Sequence, residues 1–259
     1  MVVQVFDDPQ AQGAVVVAGG SGGLGREIAR AFAEQGLAVG IGYRGNAAGA
    51  EALVQDLAGA GHRAMAGRMD LLAGDTVAAF LDSVADRFGG IGTVVYAAGP
   101  KVSIKPIAEF TPQEWADALT QDATGFFTLC HHAIPHLRRS RGSIVALSTA
   151  GTRRYPPLDV LSAGPKASVE MLVRGIAREE GRNGIRANAI GVGQIEAGQG
   201  AELLADPRFQ RLAQRVLEGT PLRRWGTAAD VANVALFLAS PLAAFVTGQT
   251  ICADGGGHV

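Results

Sequence analysis

Residues 15–25 read Val-Val-Val-Ala-Gly-Gly-Ser-Gly-Gly-Leu-Gly, an apolar run that ends in a glycine-rich turn. Leu24, Ile28, Ala31 and Phe32 then recur on one helical face. Strand, tight turn and helix in that order build a phosphate cradle. Glycines let main-chain N–H groups approach a pyrophosphate, and the helix N-terminus adds a favourable dipole. Gly20, Gly22 and Gly25 satisfy G-x-G-x-x-G; in a chain with 36 glycines the pattern gains its weight from following the first strand. It predicts Gly19, Ser21, Gly23, Leu24 and Gly25 around a dinucleotide's phosphates. The same stretch also reads G-x-S-x-G, a hydrolase's nucleophile elbow, with Asp254 and His258 as partners for Ser21. That reading lacks the strands that normally precede an elbow, and it places two of its three groups in the last six residues.

With 259 residues, 47% of them hydrophobic, the chain has enough apolar material for one large domain. A net charge of −1 leaves no electrostatic footprint for nucleic acid or an anionic membrane. Cys130 and Cys252 sit in no metal-type spacing, so free thiols, a cytoplasmic setting and no bound metal are expected. The first residues show neither a basic start nor a long apolar run, which argues against a signal peptide. No segment approaches the ~18 apolar residues of a membrane helix.

Strand-like and helix-like segments alternate throughout. Strands are expected near 14–18, 38–42, 63–68, 92–97, 143–148, 185–190 and 247–252, and helices near 23–35, 46–59, 74–88, 112–138, 161–182 and 227–239. The rhythm predicts an α/β fold: one Rossmann-like, doubly wound parallel sheet of about seven strands, helices on both faces, a single domain over 1–259. Continuous apolar runs such as Thr93-Val94-Val95-Tyr96-Ala97 suit strands covered on both sides. The irregular stretch at about 194–220 reads as a substrate lid, with Trp225 packed beneath it.

Such sheets bind ligands at the carboxyl ends of their strands. After the second strand stands Arg44, where an acidic residue would hold the ribose hydroxyls of NAD; the sequence favours NADP(H) over NAD(H), Arg44 meeting the 2′-phosphate with help from Arg26. The plain alternative is a solvated charge. After the third strand, Asp70 and Leu71 are expected at adenine, or Asp70 caps the next helix. His131, His132 and His136 share a helix and read as surface or interface residues.

Several strings now align with one family. Ala18-Gly19-x-x-x-Gly23-Leu24-Gly25, Tyr96-Ala97-Ala98-Gly99, Gly142-Ser143-Ile144-Val145-Ala146-Leu147-Ser148-Thr149, Arg186-Ala187-Asn188-Ala189-Ile190 and Thr247-Gly248-Gln249…Asp254-Gly255-Gly256 resemble, in order and spacing, the landmarks of the short-chain dehydrogenase/reductase family. The resemblance implies an oxidoreductase with Ala97, Gly99, Ile195 and Lys166 against the nicotinamide cofactor. It also implies a small-molecule substrate and a homo-oligomer, tetramer or dimer, with 112–138 and 161–182 in contact. The family's Asn/Ser/Tyr/Lys tetrad falls on Asp122, Thr149, Ser162 and Lys166, so only the lysine matches. An aliphatic hydroxyl at Ser162 does not replace a phenol with an ordinary pKa near ~10. Asp122 and Lys166 holding a water would serve instead, an arrangement similar to the peroxisomal type of 2,4-dienoyl-CoA reductase; Tyr155 and Tyr96 are other donor candidates. Against these stand plainer roles: Asp122 as a turn acceptor, Tyr155 and Tyr96 as packing residues, Glu170 as an intrahelical partner of Lys166. The expectation is hydride transfer between nicotinamide and a carbonyl or conjugated enoyl group, thioesters included. The alternative is a catalytically silent NADP(H)-binding sensor or scaffold.

Overall fold

The computed structural model describes residues 4–6, 8, 12–205 and 210–259. Seven strands, β1 (Ala14–Ala18), β2 (Val39–Tyr43), β3 (Ala64–Arg68), β4 (Ile91–Tyr96), β5 (Ser143–Thr149), β6 (Arg186–Val192) and β7 (Thr250–Ala253), form one sheet in the order β3-β2-β1-β4-β5-β6-β7. Every pairing is parallel. β1 and β4 are bonded neighbours far apart in sequence, and the winding reverses between them. A crevice opens at such a reversal, above the strands' carboxyl ends.

Between the strands run α1 (Gly23–Glu34), α2 (Ala47–Gly59), α3 (Gly74–Phe88), α4 (Pro112–Leu119), α5 (Gly125–Ser140), α6 (Val160–Glu180), α7 (Gln199–Ala205), α8 (Gln210–Gly219) and α9 (Ala228–Ala239). Alternate residues of each central strand feed two cores. Val16, Val94 and Ile144 meet Phe80, Phe126 and Val169 from α3, α5 and α6 on one face. Val15, Val17, Val95 and Val145 meet Ile28, Phe32, Leu53 and Val231 from α1, α2 and α9 on the other. Burial on both faces accounts for the unbroken apolar runs in β1 and β4.

One expected helix needs correction. The helix expected over 112–138 is interrupted: α4 passes through a π-helical turn at Thr120–Thr124 before α5 begins. Hydrophobic periodicity does not reveal one extra residue in a turn, and such bulges concentrate at functional sites. α6 starts at Val160 and carries Pro165 in its second turn. Elsewhere the ends agree or shift by up to three residues: β1 and α3 match, and β7 differs most, starting at Thr250. The stretch at 194–220 holds α7 and α8.

α5 and α6 are tied near their C-termini by Arg138, which donates to Glu180 through Nε and a terminal nitrogen at 2.8 and 2.6 Å. The Arg138 hydrogen bond is the chief reason that Glu180 falls from 4.5 to about 2, against a desolvation that raises it. A carboxylate depressed on folding stabilises above its unfolded pKa, and that stability is lost as pH falls toward the folded value. Arg138→Leu is therefore expected to flatten the pH dependence of the melting temperature between about 4.5 and 2, measured by circular dichroism.

Candidate active site

The glycine loop leaves β1 in a conformation that glycine alone adopts freely. Gly19 has φ +81°, and a Cβ there would meet Ala97 O and Ala98 N at 2.8 Å. Gly25 passes so near Gly19 that any side chain would collide with the Gly19 carbonyl. The chain thus folds a tight cradle in which two backbones touch. Gly22 caps α1 without a side chain, and the first turn carries no acidic residue. Its N–H groups remain available to an anion, the arrangement a pyrophosphate needs. Ser21 borders this turn, its carbonyl receiving Asn46 Nδ2 at 3.4 Å, while Leu24 packs into the second core. A Cβ on Gly23 would meet Gly198 N at 2.7 Å, so the segment before α7 rests on the loop.

Beyond β2, Arg44 is exposed, and among the described residues nothing engages its guanidinium. Arg26, expected to assist it, instead donates to the Gly49 carbonyl at 3.2 Å. Asp70 does not cap α3, whose N-cap is Ala73; its Oδ1 accepts from Leu72 N at 3.1 Å, and Thr76 holds its main chain. Leu71 is half-buried against the first core, its Cβ 3.2 Å from the position of a Cβ on Gly125. Ala97 N continues the β1–β4 ladder by donating to Ala18 O at 2.9 Å. Gly99 lies below Lys166, 3.8 Å from Nζ to a Cβ built there. Ile195 is buried and pairs with Gly226 in an isolated bridge.

The π-helical turn carries Asp122 to the end of β4. Lys166 Nζ lies 2.9 Å from its Oδ1, and the Tyr96 hydroxyl donates to the same oxygen at 2.6 Å and to the Asp122 carbonyl at 3.1 Å. Lys166 also stands 4.7 Å from the Tyr96 ring centre. Tyr96 and Asp122 are buried, at 0% and 2% exposure, so this is a dry ion pair with a phenol as third member. Burial first, then the Asp122 charge, raises the Tyr96 phenol well above its ordinary value near 10, which keeps it a neutral donor. Tyr96 thus does more than pack. Glu170 is not the partner of Lys166: it is buried with the Ser148 and Thr152 hydroxyls at 2.7 and 2.6 Å, and Arg153 and Arg174 approach within 3.7 and 3.6 Å.

Thr149 ends β5, and its Oγ1 accepts from Gly151 N at 3.1 Å. Ser162 and Lys166 occupy successive turns of α6. The Tyr155 side chain is exposed beside Pro156. Absent from the sequence reading is Asp159, the N-cap of α6, whose carboxyl makes no cap hydrogen bond. Its Oδ2, Thr149 Oγ1 and Pro156 Cδ pack around Gly151, at 3.3, 3.2 and 3.0 Å from the position of a Cβ there. Burial raises its pKa from 3.8 to about 6, opposed by a hydrogen bond from Ser162. The signal in the sequence was a carboxylate three residues before Ser162, on the same helical face.

Asp254 and His258 do pair, Nδ1 to Oδ2 at 2.7 Å. They follow β7, however, four strand intervals from β1, on the order of 19 Å at ordinary spacing. Ser21 is therefore out of reach, and the hydrolase triad is not formed. With Cys252 these two bring donor atoms within 4.8 Å of one another, the one such group among the described residues. Of the three α5 histidines, His136 approaches Asp82 at 3.2 Å and His131 meets His132 edge to face. A cavity of about 560 Å³ lies between α7 and α8, walled by Leu204, Leu217 and Trp225. Lys101 reaches from the loop after β4 to pair with Glu202 on α7. No helix of the described residues is long and apolar enough to cross a membrane.

The cradle at a sheet reversal and a lysine one helical turn past Ser162 define a class of dinucleotide-dependent oxidoreductases, and the comparisons agree. Residues 18–258 match the family described as enoyl-(acyl carrier protein) reductase. The chain is 35% identical over 254 residues to 3beta-hydroxysteroid dehydrogenase 1 of Eggerthella lenta, covering 97% of this chain and 95% of that protein. A short-chain dehydrogenase/reductase from Mycobacterium ulcerans superposes with a TM-score of 0.90 at 28% identity, over 99% of this chain and 91% of the other. A 3-oxoacyl-(acyl-carrier protein) reductase from Brucella melitensis with bound NAD superposes at 0.85 and 30% identity, over 99% and 94%. This chain belongs to the short-chain dehydrogenase/reductase family of oxidoreductases.

Removing Lys166 strands a buried carboxylate. Lys166→Ala is expected to lower stability by about 3–5 kcal/mol, the usual cost of breaking a buried pair. Adding Asp122→Asn is expected to recover most of that loss, as read from urea unfolding. Equal stability of the single and double variants would deny that the pair bears on folding.

Proposed function

We propose that this protein is an NADP(H)-dependent oxidoreductase that transfers hydride between nicotinamide and a carbonyl or conjugated enoyl group of a small molecule, thioesters included. The observation that carries the reading is the cradle formed by Gly19, Gly23 and Gly25 beneath an α1 N-terminus with no side-chain cap. Nicotinamide, when bound, supplies or accepts the hydride. The chain's residues do the rest. The α1 N–H groups and Ser21 hold the phosphates. Arg44, exposed and unengaged among the described residues, meets a 2′-phosphate with its guanidinium fork. Ala97, Gly99 and Ile195 line the bed, with Asp70 and Leu71 at the adenine end. Lys166 holds the nicotinamide ribose, and Asp122 with Tyr96 fixes where that ammonium stands. Thr149 offers a hydroxyl to the substrate oxygen.

The site is atypical for its family, because Ser162 stands where the family's phenol would be. Asp122 beside Lys166 supports the likeness to dienoyl-CoA reductases, in which a water or other group supplies the proton. The opposing reading, a silent NADP(H)-binding protein, draws on that same absent phenol. We further propose a single domain with a lid at 194–220, a cytoplasmic protein and a homo-oligomer, dimer or tetramer. Assembly through α4, α5 and α6 would cover Trp115, Phe127 and Met171, which are exposed.

Fluorescence titration separates the cofactors. Arg44→Ala is expected to weaken NADPH at least tenfold while changing NADH less than twofold; equal losses would refute the 2′-phosphate assignment. Stopped-flow mixing of the NADPH complex with ketones, 3-oxoacyl and enoyl thioesters tests turnover. Binding with no NADPH oxidation anywhere in that panel establishes the silent reading.

A further inference from the structure

We propose that the Asp159 carboxyl is the proton donor of this active site, delivering its proton to the substrate oxygen in place of the absent phenol. The inference rests on the hydride-transfer reading above. Three observations support it. First, Asp159 is an N-cap that does not cap: the Ser162 and Ala163 N–H groups bond its main-chain carbonyl at 3.1 and 2.9 Å, and its side chain makes no cap hydrogen bond. An N-cap aspartate usually spends its carboxylate on the helix; this one is turned away from that task. Second, it stands beside a residue at the site: Asp159 Oδ2 and Thr149 Oγ1 both pack against Gly151, 3.3 and 3.2 Å from the position of a Cβ there, just past the carboxyl end of β5. Asp159, Ser162 and Lys166 follow one another along one face of α6.

Third, its electrostatic setting favours the acid form. No charged group is among the causes that act on it, and the basic residues near it in sequence are committed elsewhere. Arg153 approaches Glu170, Arg154 donates to the Val259 carbonyl, and Lys166 pairs with Asp122. The Thr149 hydroxyl and Pro156 share the surroundings of Gly151 with it, and neither carries a charge. Burial without a cationic partner raises the carboxyl to about 6, and the Ser162 hydrogen bond is the one opposing cause. A general acid is most effective with a pKa near the working pH. The other phenol inside the site, Tyr96, is raised out of that range and already donates to Asp122.

The step balances simply. Hydride adds to the electrophilic carbon, and the π electrons move onto oxygen as an alkoxide or enolate. The Asp159 O–H bond breaks and the proton passes to that oxygen, leaving a carboxylate that solvent water reprotonates. Ser162 is then a positioning residue that steadies the carboxylate.

Asp159→Asn, isosteric at an unused cap, is expected to retain the melting temperature and to bind NADPH within twofold of wild type. It is expected to reduce the rate of substrate reduction at least ~100-fold, the customary worth of a placed acid. In cofactor-free protein, 13C NMR of labelled aspartate is expected to show a carboxyl titrating near 6 that disappears in Asp159→Asn. Reduction needs the protonated acid, so kcat/KM falls as pH rises through that value. Ser162→Ala removes the hydrogen bond that lowers the pKa, so both midpoints move upward together. Asp159→Glu retains an acid and is expected to recover activity to within tenfold of wild type. If wild type fails to bind NADPH or to transfer hydride, the functional reading falls and this proposal with it. If wild type is active and Asp159→Asn matches it, or Tyr155→Phe alone abolishes turnover, the donor assignment is overturned while the functional reading survives.

Discussion

One oxygen of Asp122 receives both the ammonium of Lys166 and the hydroxyl of Tyr96. Almost no water reaches it. Three elements distant in sequence, β4, the π-helical turn and α6, therefore meet at a single buried charge. Each partner alone is costly to bury: a carboxylate without its cation, an ammonium without its anion, a phenol without an acceptor. Together they satisfy one another, and no buried side-chain polar atom of the described residues is left without a partner. The lysine that the family places at the cofactor ribose thus stands on a fixed post. The widened turn is part of the same device, because it brings both the Asp122 side chain and its carbonyl within reach of Tyr96.

The rest of the crevice follows from this arrangement and from the glycine loop on the opposite side of β1. The two halves have different chemistry. Around Gly19–Gly25 the main chain offers N–H groups and no bulk. Around Thr149, Ser162 and Lys166 the side chains present two hydroxyls and an ammonium. Glu170, one turn beyond Lys166, is taken up by two hydroxyls and two arginines, which prevents a second carboxylate from competing for the lysine.

Much of this was legible in the sequence, for identifiable reasons. Strands buried on both faces leave continuous apolar runs, so β1 and β4 announced themselves. Glycines forced by backbone contact, Gly19 and Gly25, left a recognisable spacing. Local pattern does not encode hydrogen-bond choice. The commitment of Arg26 to Gly49, the refusal of Asp70 to cap α3 and the departure of Lys166 from Glu170 depend on what the fold sets beside each group. The π-helical turn was invisible for a related reason, since one inserted residue barely disturbs a helical stripe. Asp159 went unread in the sequence, because only its surroundings distinguish it.

The contact between Gly23 and Gly198 joins the glycine loop to the segment before α7. A methyl group at position 23 has no room while Gly198 keeps its place, and Gly198 itself holds φ +55°. Engineers who wish to vary residues 197–200 will meet the glycine loop at once. Variation at these two sites is a single combinatorial problem, to be searched in pairs rather than one position at a time.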